Sequence, residues 1–438
     1  MKVLVLDGHT NQAVACVRSL ARAGHRVTVG SSSSWCKAGW SRFCRGTLTY
    51  PSPERDAEAF VGRIAAKLRR DPGSLILPMT ERTALLLSAS RDLLFAAGGR
   101  MELPPHATLL RAFDKFLVTG LAKSLGIAVP RTMLIANEAE AEAHARSVPY
   151  PSVLKPRTSE AVSPDGLIHS TGRPMYAQNE REFLAAYREI GKRSSMVLAQ
   201  EFIEGAGAGY FALMRRGELC AEFGHVRIRD TQPSGSGSSL RVSVKPESKV
   251  REAGLAILDA LNWHGVAMVE FRIRPDGTPV LMELNGRFWN SLALAVHAGV
   301  DFPALLARLA EQGELGAPPA YRLGVRCRWL LGDFFHLINV WRGAPAGYPG
   351  KFPNRLRTVF NLLLPVPGTF HDNFTLEDPL PEVGDWLDCL FRRLPAAFRE
   401  LTRSLRSASR TQSREATTVG GRLEGGAPFH RSAAVKNS

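Results

Sequence analysis

The stretch from Val266 to His297, VAMVEFRIRPDGTPVLMELNGRFWNSLALAVH, decides how the rest of the chain is read. Two apolar, β-branched runs, Val266 to Ile273 and Pro279 to Leu284, flank Pro275-Asp276-Gly277-Thr278, and Asp-Gly between such runs marks a β-hairpin. A turn centred on Asp276 and Gly277 makes the numbers of paired residues sum to 553, which sets Glu270 opposite Glu283. Side chains alternate with period two, so Asn285 shares their face. Directly opposed like charges destabilise a sheet unless something compensates them, and a divalent cation does so. Two carboxylates and an amide oxygen form a hard, all-oxygen half-shell of the kind Mg²⁺ takes when phosphate oxygens and water complete an octahedron. The expected metal ligands are therefore Glu270, Glu283 and Asn285. Arg287 adds a fixed cation just beyond, and Phe288 to Val296 reads as a helix that Gly299 ends.

Composition narrows the class. At 438 residues and 45% apolar content, the chain is long enough for two or three globular domains. It has no run of about 20 uncharged apolar residues, and MKVLVLDGHT enters a strand directly, so a cytoplasmic protein without a transmembrane segment is expected. The six cysteines form neither a Cys-x-x-Cys motif nor a Cys/His cluster, which argues against a disulfide framework and a zinc site. The net charge is +15, and residues 403–438, with seven Lys/Arg against two Glu, supply +5 of it. No nucleic-acid-binding motif accompanies the charge. An anionic ligand such as a nucleotide, or loose affinity for an acidic surface, explains it as well.

Lys2 to Leu6, the helical spacing of Ala13, Val14, Val17, Leu20 and Ala21, and Arg26 to Val29 make a βαβ unit. A helix from Ser52 to Leu68, with Ser52 as cap, and a strand at Leu75 to Leu77 extend it to an α/β, doubly wound parallel sheet over residues 1–105. Its first turn holds a single glycine, Gly8, which argues against dinucleotide binding and leaves a shaped turn or a loop facing an acceptor substrate.

After Pro104-Pro105, Asp114 opens a helix with an apolar stripe of Phe116, Leu117, Leu121 and Leu125, and Lys115 stands in its first turn. By itself Lys115 is either a surface lysine or one placed for an anion. Lys155 closes the short strand Ser152 to Lys155, either snorkelling at an edge or paired. Met196 to Phe202 is a strand leading into Glu201-Phe202-Ile203-Glu204, and Gly205 to Gly209 reads as a flexible connection. Tyr210 to Phe223 forms a hairpin turning at Arg215-Arg216-Gly217. The Ser/Gly run Thr231 to Ser239 lies between strands, which favours an active-site flap over a linker. The aromatics of Arg326 to Trp341 read as core, residues 345–381 as irregular, and Glu382 to Leu401 as a helix before a disordered tail.

With these residues in place, GVAMVEFRI followed by VLMELNGRFWNSLALAVHAGVDFP resembles the metal-binding end of ATP-grasp carboxylate–amine ligases, with more distant likeness to biotin carboxylase and carbamoyl-phosphate synthase. The likeness covers roughly residues 1–310 and is most specific at 270–296. One departure is Gly286, where many relatives carry proline. The resemblance implies a Rossmann-like domain at 1–105 and an ATP-grasp domain at 106–315, with lobes at about 130–203 and 204–315. A C-terminal extension at 316–402 and a basic tail at 403–438 would follow. It also implies that Lys115, Lys155 and Ser159 meet the nucleotide phosphates, that backbone near Glu201 and Ile203 holds adenine, that Glu204 takes the ribose, and that the flap's Ser236, Ser239 and Arg241 border the phosphates and acceptor site. Arg287 and Lys155 would serve catalysis, with ATP and Mg²⁺, or Mn²⁺ in its place, as cofactors.

The activity expected is ligation of a carboxylate to an amine through an acylphosphate, with ADP and phosphate released, on small-molecule substrates and in a homodimer by default. Bicarbonate activation, a non-catalytic ATP-binding scaffold, and an NAD(P)- or sugar-binding Rossmann protein are the rival readings, the last disfavoured by the single glycine.

Overall fold

The computed structural model describes residues 1–162, 168–364 and 366–393. Residues 163–167 and the expected tail at 403–438 lie outside the described residues. By contacts the chain divides into Met1–Asp385 and Trp386–Ser438. The described part of the second unit is the end of helix Leu380–Asp388 and a π-helical turn, Cys389–Arg393.

The first sheet contains β1 (Lys2–Val5), β2 (Arg26–Ser31), β3 (Gly46–Thr49) and β4 (Leu75–Leu77), all parallel in the order β3-β2-β1-β4. Alternation along β1 explains the double winding. Val3 and Val5 bury against helix Asn11–Arg22, whereas Leu4 joins Phe60 and Ile64 of helix Ala57–Arg70 on the other face. The second helix starts later than the sequence suggests. Ser52 closes a turn through its carbonyl, and Asp56 is the cap, accepting from Ala59 N at 2.8 Å.

The second sheet is antiparallel and small. Its strands are β5 (Thr132–Ile135), β6 (Ser152–Pro156), β9 (Met175–Ala177) and β10 (Val197–Glu201), ordered β5-β10-β6-β9, with the ribbon β7 (Glu160–Val162) and β8 (Ile168–Ser170) beside it. It encloses its own core around Ile135, Leu154, Phe183 and Val197.

The third sheet has seven strands: β11 (Ala206–Arg215), β12 (Glu218–Arg229), β13 (Leu240–Val244), β14 (Gly265–Ile273), β15 (Pro279–Asn285), β16 (Arg326–Arg328) and β17 (Thr369–His371). Their order is β15-β14-β11-β12-β13-β16-β17. The expected domain boundary near residue 315 thus does not coincide with a break in the sheet, because β16 and β17 extend it.

Three local expectations change. Residues 345–381 contain a helix, Arg355–Leu363. Helix Leu330–Arg342 buries Leu331 and Val340 but exposes Phe334 and Trp341, so its aromatics are not all core. Helix Lys115–Ser124 buries Val118 and Ala122 and leaves Phe116, Leu117 and Leu125 largely exposed.

Among the described residues no single helix is long and apolar enough to cross a membrane. One bent pair, Leu292–Ala298 and Phe302–Gln312, passes on composition, and it is core: Leu292 and Phe302 are buried against helix Asn11–Arg22.

Candidate active site

The hairpin β14–β15 sets Glu270 opposite Glu283 and Met268 opposite Asn285, the register expected. It does so by two compensating departures. The turn has three residues, with Arg274 N donating to Thr278 O at 3.0 Å, Gly277 N to Arg274 O at 2.9 Å, and Gly277 at φ 83°. Near the turn Phe271 therefore pairs with Leu281, and a bulge between Glu270 and Phe271 restores the pairing the glutamates need.

A guanidinium compensates the opposed carboxylates. Arg227 Nη2 lies 2.6 Å from Glu270 Oε1, reaching it from β12 across the whole of β11. The crossing runs close over Gly207, where a Cβ would stand 3.3 Å from Arg227 Cδ; a Cβ on Gly209 would instead meet the Phe211 ring at 2.6 Å. The run Gly205 to Gly209 thus opens strand β11 rather than forming a flexible connection, with Gly207 against the arginine. Gly205 itself, at φ 147°, packs so closely that a Cβ would meet Ile273 O at 1.9 Å. Arg227 was invisible to the sequence reading because reaching Glu270 depends on strand order.

On the other strand, Asn285 Nδ2 donates to Glu283 Oε1 at 3.0 Å and Arg287 Nη2 to Asn285 Oδ1 at 2.9 Å, a relay from the cleft to Arg287. Burial works to raise both glutamate pKa values, but the outcomes differ. Glu270 is raised despite Arg227, whereas Lys115, the Asn285 hydrogen bond, Lys155 and Arg287 together hold Glu283 below the usual range.

Across the cleft, β6 ends in Lys155, which is buried. Burial and then neighbouring Lys115 push its ammonium down to about 8, against the pull of Glu283 and Glu270. Lys115 Nζ donates to Ser159 Oγ at 2.9 Å. Its helix is capped by Asp114, which accepts from Phe116 N and Leu117 N and also pairs with Arg157 at 2.7 Å, tying the helix to the chain after β6.

These groups line one cavity of ≈ 260 Å³, which includes Lys115, Lys155, Ser159, Glu201, Ile203, Arg227, Glu270 and Glu283. Flap residues Ser234 to Gly237 also border it, with Tyr176 Oη donating to Ser234 O at 2.9 Å. Asn285 and Arg287 join it only through Glu283, and Glu204 is exposed and not among the lining residues. Glu201 Oε1 pairs with Arg274 Nη2 at 2.7 Å.

Two flap candidates lie elsewhere. Ser239 N donates to Arg229 O at 2.9 Å, and Arg241 is fully buried, its Nη2 2.8 and 2.7 Å from the two carboxylate oxygens of Asp372. The first-domain turn is structural: Asp7 Oδ2 accepts from Met79 N, Thr80 N, Thr80 Oγ1 and Thr83 Oγ1. The sequence reading also missed Glu81, at the start of helix Glu81–Ala89. Its Oε1 is buried with no hydrogen-bond partner among the described residues, and burial pushes it up to about 7 against Lys115 and Arg287.

No family model matches the chain. It is 26% identical over 216 residues to the vancomycin B-type resistance protein VanB of Enterococcus faecalis, covering 45% of this chain and 60% of that protein. It is 26% identical over 223 residues to D-alanine–D-alanine ligase of Nitrosospira multiformis, covering 47% and 68%. Among solved structures, an L-amino acid ligase from Bacillus licheniformis aligns with TM-score 0.56 at 16% identity, over 71% of this chain and 74% of that one. Biotin carboxylase from Campylobacter jejuni aligns with TM-score 0.60 at 13% identity, over 74% of each. The chain therefore has the ATP-grasp fold, the class the hairpin motif resembles. It spans about 60% of the length of VanB.

Proposed function

We propose that the chain is an ATP-dependent, ADP-forming carboxylate–amine ligase. One observation carries this reading: Glu270 and Glu283 oppose each other in a cleft that Lys115 and Lys155 also line. The cleft lies between an antiparallel lobe and a larger sheet, as a nucleotide site of this fold requires. Relatedness to a D-alanine–D-alanine ligase and likeness to an L-amino acid ligase support an amino acid or a similar small carboxylate as substrate.

The roles follow from position. The N–H groups of Glu201 and Phe202 are committed to Arg131 O and Pro151 O, so the donor for an adenine edge falls to Ile203. Glu204, exposed beside the cleft, is free to reach a ribose diol. Lys155 and Lys115, the latter with Ser159, face the phosphates. Glu270, Glu283 and Asn285 fit Mg²⁺ or Mn²⁺ by donor chemistry, two opposed carboxylates and an amide on one face. Bound there, such an ion would neutralise the β- and γ-phosphates.

The substrate carboxylate oxygen attacks the γ-phosphorus and the bond to ADP breaks. The amine nitrogen then attacks the acyl carbon, the carbon–oxygen bond to phosphate breaks, and the amine loses a proton. The released phosphate or solvent takes that proton. Arg287 and Lys155 offset the charge that develops on the transferred phosphoryl group. Cytoplasmic location and a homodimer complete the reading.

Thermal unfolding with and without Mg²⁺·ATP tests it. A nucleotide at ~100 times its dissociation constant stabilises the fold by about 2.7 kcal/mol, and Glu283→Ala should lose the metal-dependent part. ADP release should then require both a carboxylate and an amine. Release that needs bicarbonate alone would favour carboxyl activation of the biotin carboxylase kind, and an absent nucleotide shift would remove the ligase reading altogether.

A further inference from the structure

The strongest surface feature outside the cleft is helix Arg355–Leu363. A helix of a globular protein turns its apolar stripe inward, and this one turns much of it outward. Leu356, Phe360 and Leu363, at i, i+4 and i+7, are 68%, 67% and 75% exposed, and Leu364 continues the stripe at 60%. Trp341, 53% exposed, stands beside its start: Arg355 Nη2 donates to Trp341 O at 3.0 Å and its guanidinium lies 6.0 Å from the indole ring.

The charge around the stripe has one sign. From Arg342 to His371 there is no Asp or Glu, whereas Arg342, Lys351, Arg355 and Arg357 are all present and exposed. On its inner edge the same helix helps enclose a second cavity, of ≈ 210 Å³, lined by Asn361, Arg229, Arg328, Thr369 and His371. Arg229 and Arg328 share one carboxylate, Asp333, and also donate to Asn361 O and Leu362 O. Thr369 Oγ1 is buried there with no partner among the described residues. Two guanidiniums against one carboxylate leave the cavity cationic.

We propose that this face is a membrane-surface anchor that seats on an anionic phospholipid bilayer. The stripe Leu356, Phe360, Leu363 and Leu364 enters the boundary between headgroups and acyl chains. Trp341 sits at headgroup level, and the surrounding Arg and Lys side chains meet lipid phosphates. Charge complementarity selects this occupant. A second copy of the chain would bring the same cations against themselves, and an acidic bilayer does not. The proposal is independent of the ligase reading, and it gives part of the +15 charge a partner other than nucleotide.

Co-sedimentation of the full chain with vesicles tests it, using phosphatidylcholine containing about 30% phosphatidylglycerol beside pure phosphatidylcholine. The expected result is binding to the anionic vesicles only, weakened by salt. Both Phe360→Asp/Leu363→Asp and Arg355→Glu/Arg357→Glu should reduce the bound fraction at least about tenfold, with unchanged melting temperature. All these positions are exposed, so neither variant disturbs the core. Both variants keep residues 403–438, so undiminished binding by the Phe360→Asp/Leu363→Asp protein assigns the interaction to the basic tail and overturns the proposal. Failure of the wild type to bind overturns it as well. So does a concentration-dependent oligomer abolished by the same substitutions, which makes the face an interface between copies.

Discussion

Replacing Asp372 by Asn would isolate one of the most deeply buried charges in the chain. Arg241 and Asp372 are both fully buried, and Asp372 also accepts from Asn11 Nδ2 at 3.3 Å and from Cys327 Sγ. Arg241 has weak alternatives: the carbonyls of Ser238 and Ser239 are each 3.4 Å from Nη1, and its Nε has no partner among the described residues. The amide keeps the shape of Asp372 but removes the charge and turns a donor toward a guanidinium. Breaking one side of a buried pair in this way costs about 3–5 kcal/mol, a large share of the roughly 5–15 kcal/mol that holds a typical fold. In urea, with a slope of about 3 kcal/mol per molar, the midpoint should fall by more than ~1 M. Arg241→Met/Asp372→Leu, which removes both charges, should recover most of it. Nucleotide-induced stabilisation should be unchanged in the double variant, because Arg241 faces Asp372 and not the cleft. A midpoint shift below ~0.3 M for Asp372→Asn, or a double variant as damaged as the single one, would refute the assignment of Arg241 as a structural pin.

Arg227→Met leaves Glu270 and Glu283 opposed without their guanidinium, so stability should fall by about 3 kcal/mol. MgCl₂ alone should restore part of it in a thermal melt, and a magnesium-insensitive variant would count against these glutamates as a cation site. Lys155 is held at about 8, below its usual range, so its burial opposes folding below pH 8 and that penalty fades as pH rises toward 10.5. Lys155→Met should therefore be more stable than wild type at pH 7 by on the order of 3 kcal/mol, lose most of that advantage by pH 10, and bind nucleotide more weakly. Glu81 has the opposite sign. Its pKa, raised to about 7, destabilises the fold as pH climbs from about 4.5 through 7, so Glu81→Gln should be more stable than wild type at pH 8 and indistinguishable at pH 4. Equal pH dependence of the two proteins in calorimetry would show that Glu81 is solvated.

The parts legible in the sequence were those written in local pattern. The hairpin, the alternation of β1 and the Asp114 cap each depend on residues within a few positions of one another. Even there, the Glu270–Glu283 register came out right through a three-residue turn and a bulge, neither of which the Asp-Gly signal announces. What stayed hidden depends on distant partners. Arg227 reaches Glu270 only because of the order of strands β12, β11 and β14, and Arg241 resembles a phosphate ligand until Asp372 is found beside it. The stripe on helix Lys115–Ser124 misleads because helical spacing says that apolar residues share a face and not which neighbour covers it.

The pins between the beginning and the end of Met1–Asp385 have a consequence for how the protein is made. Arg18 pairs with Asp378 at 2.8 Å, Lys37 pairs with Asp385 at 2.9 Å, and Asn11 meets Asp372 and Asn373. Each pair joins groups more than 340 residues apart. During synthesis at about 5–20 residues per second, the first domain emerges tens of seconds before these partners exist. Through that interval Arg18 and Lys37 stay hydrated on the first domain. The parallel sheet can form early, but its buried polar face closes only when the segment around residues 372–385 arrives. Contacts of such long sequence separation form late, and until they do the nascent chain is exposed to aggregation.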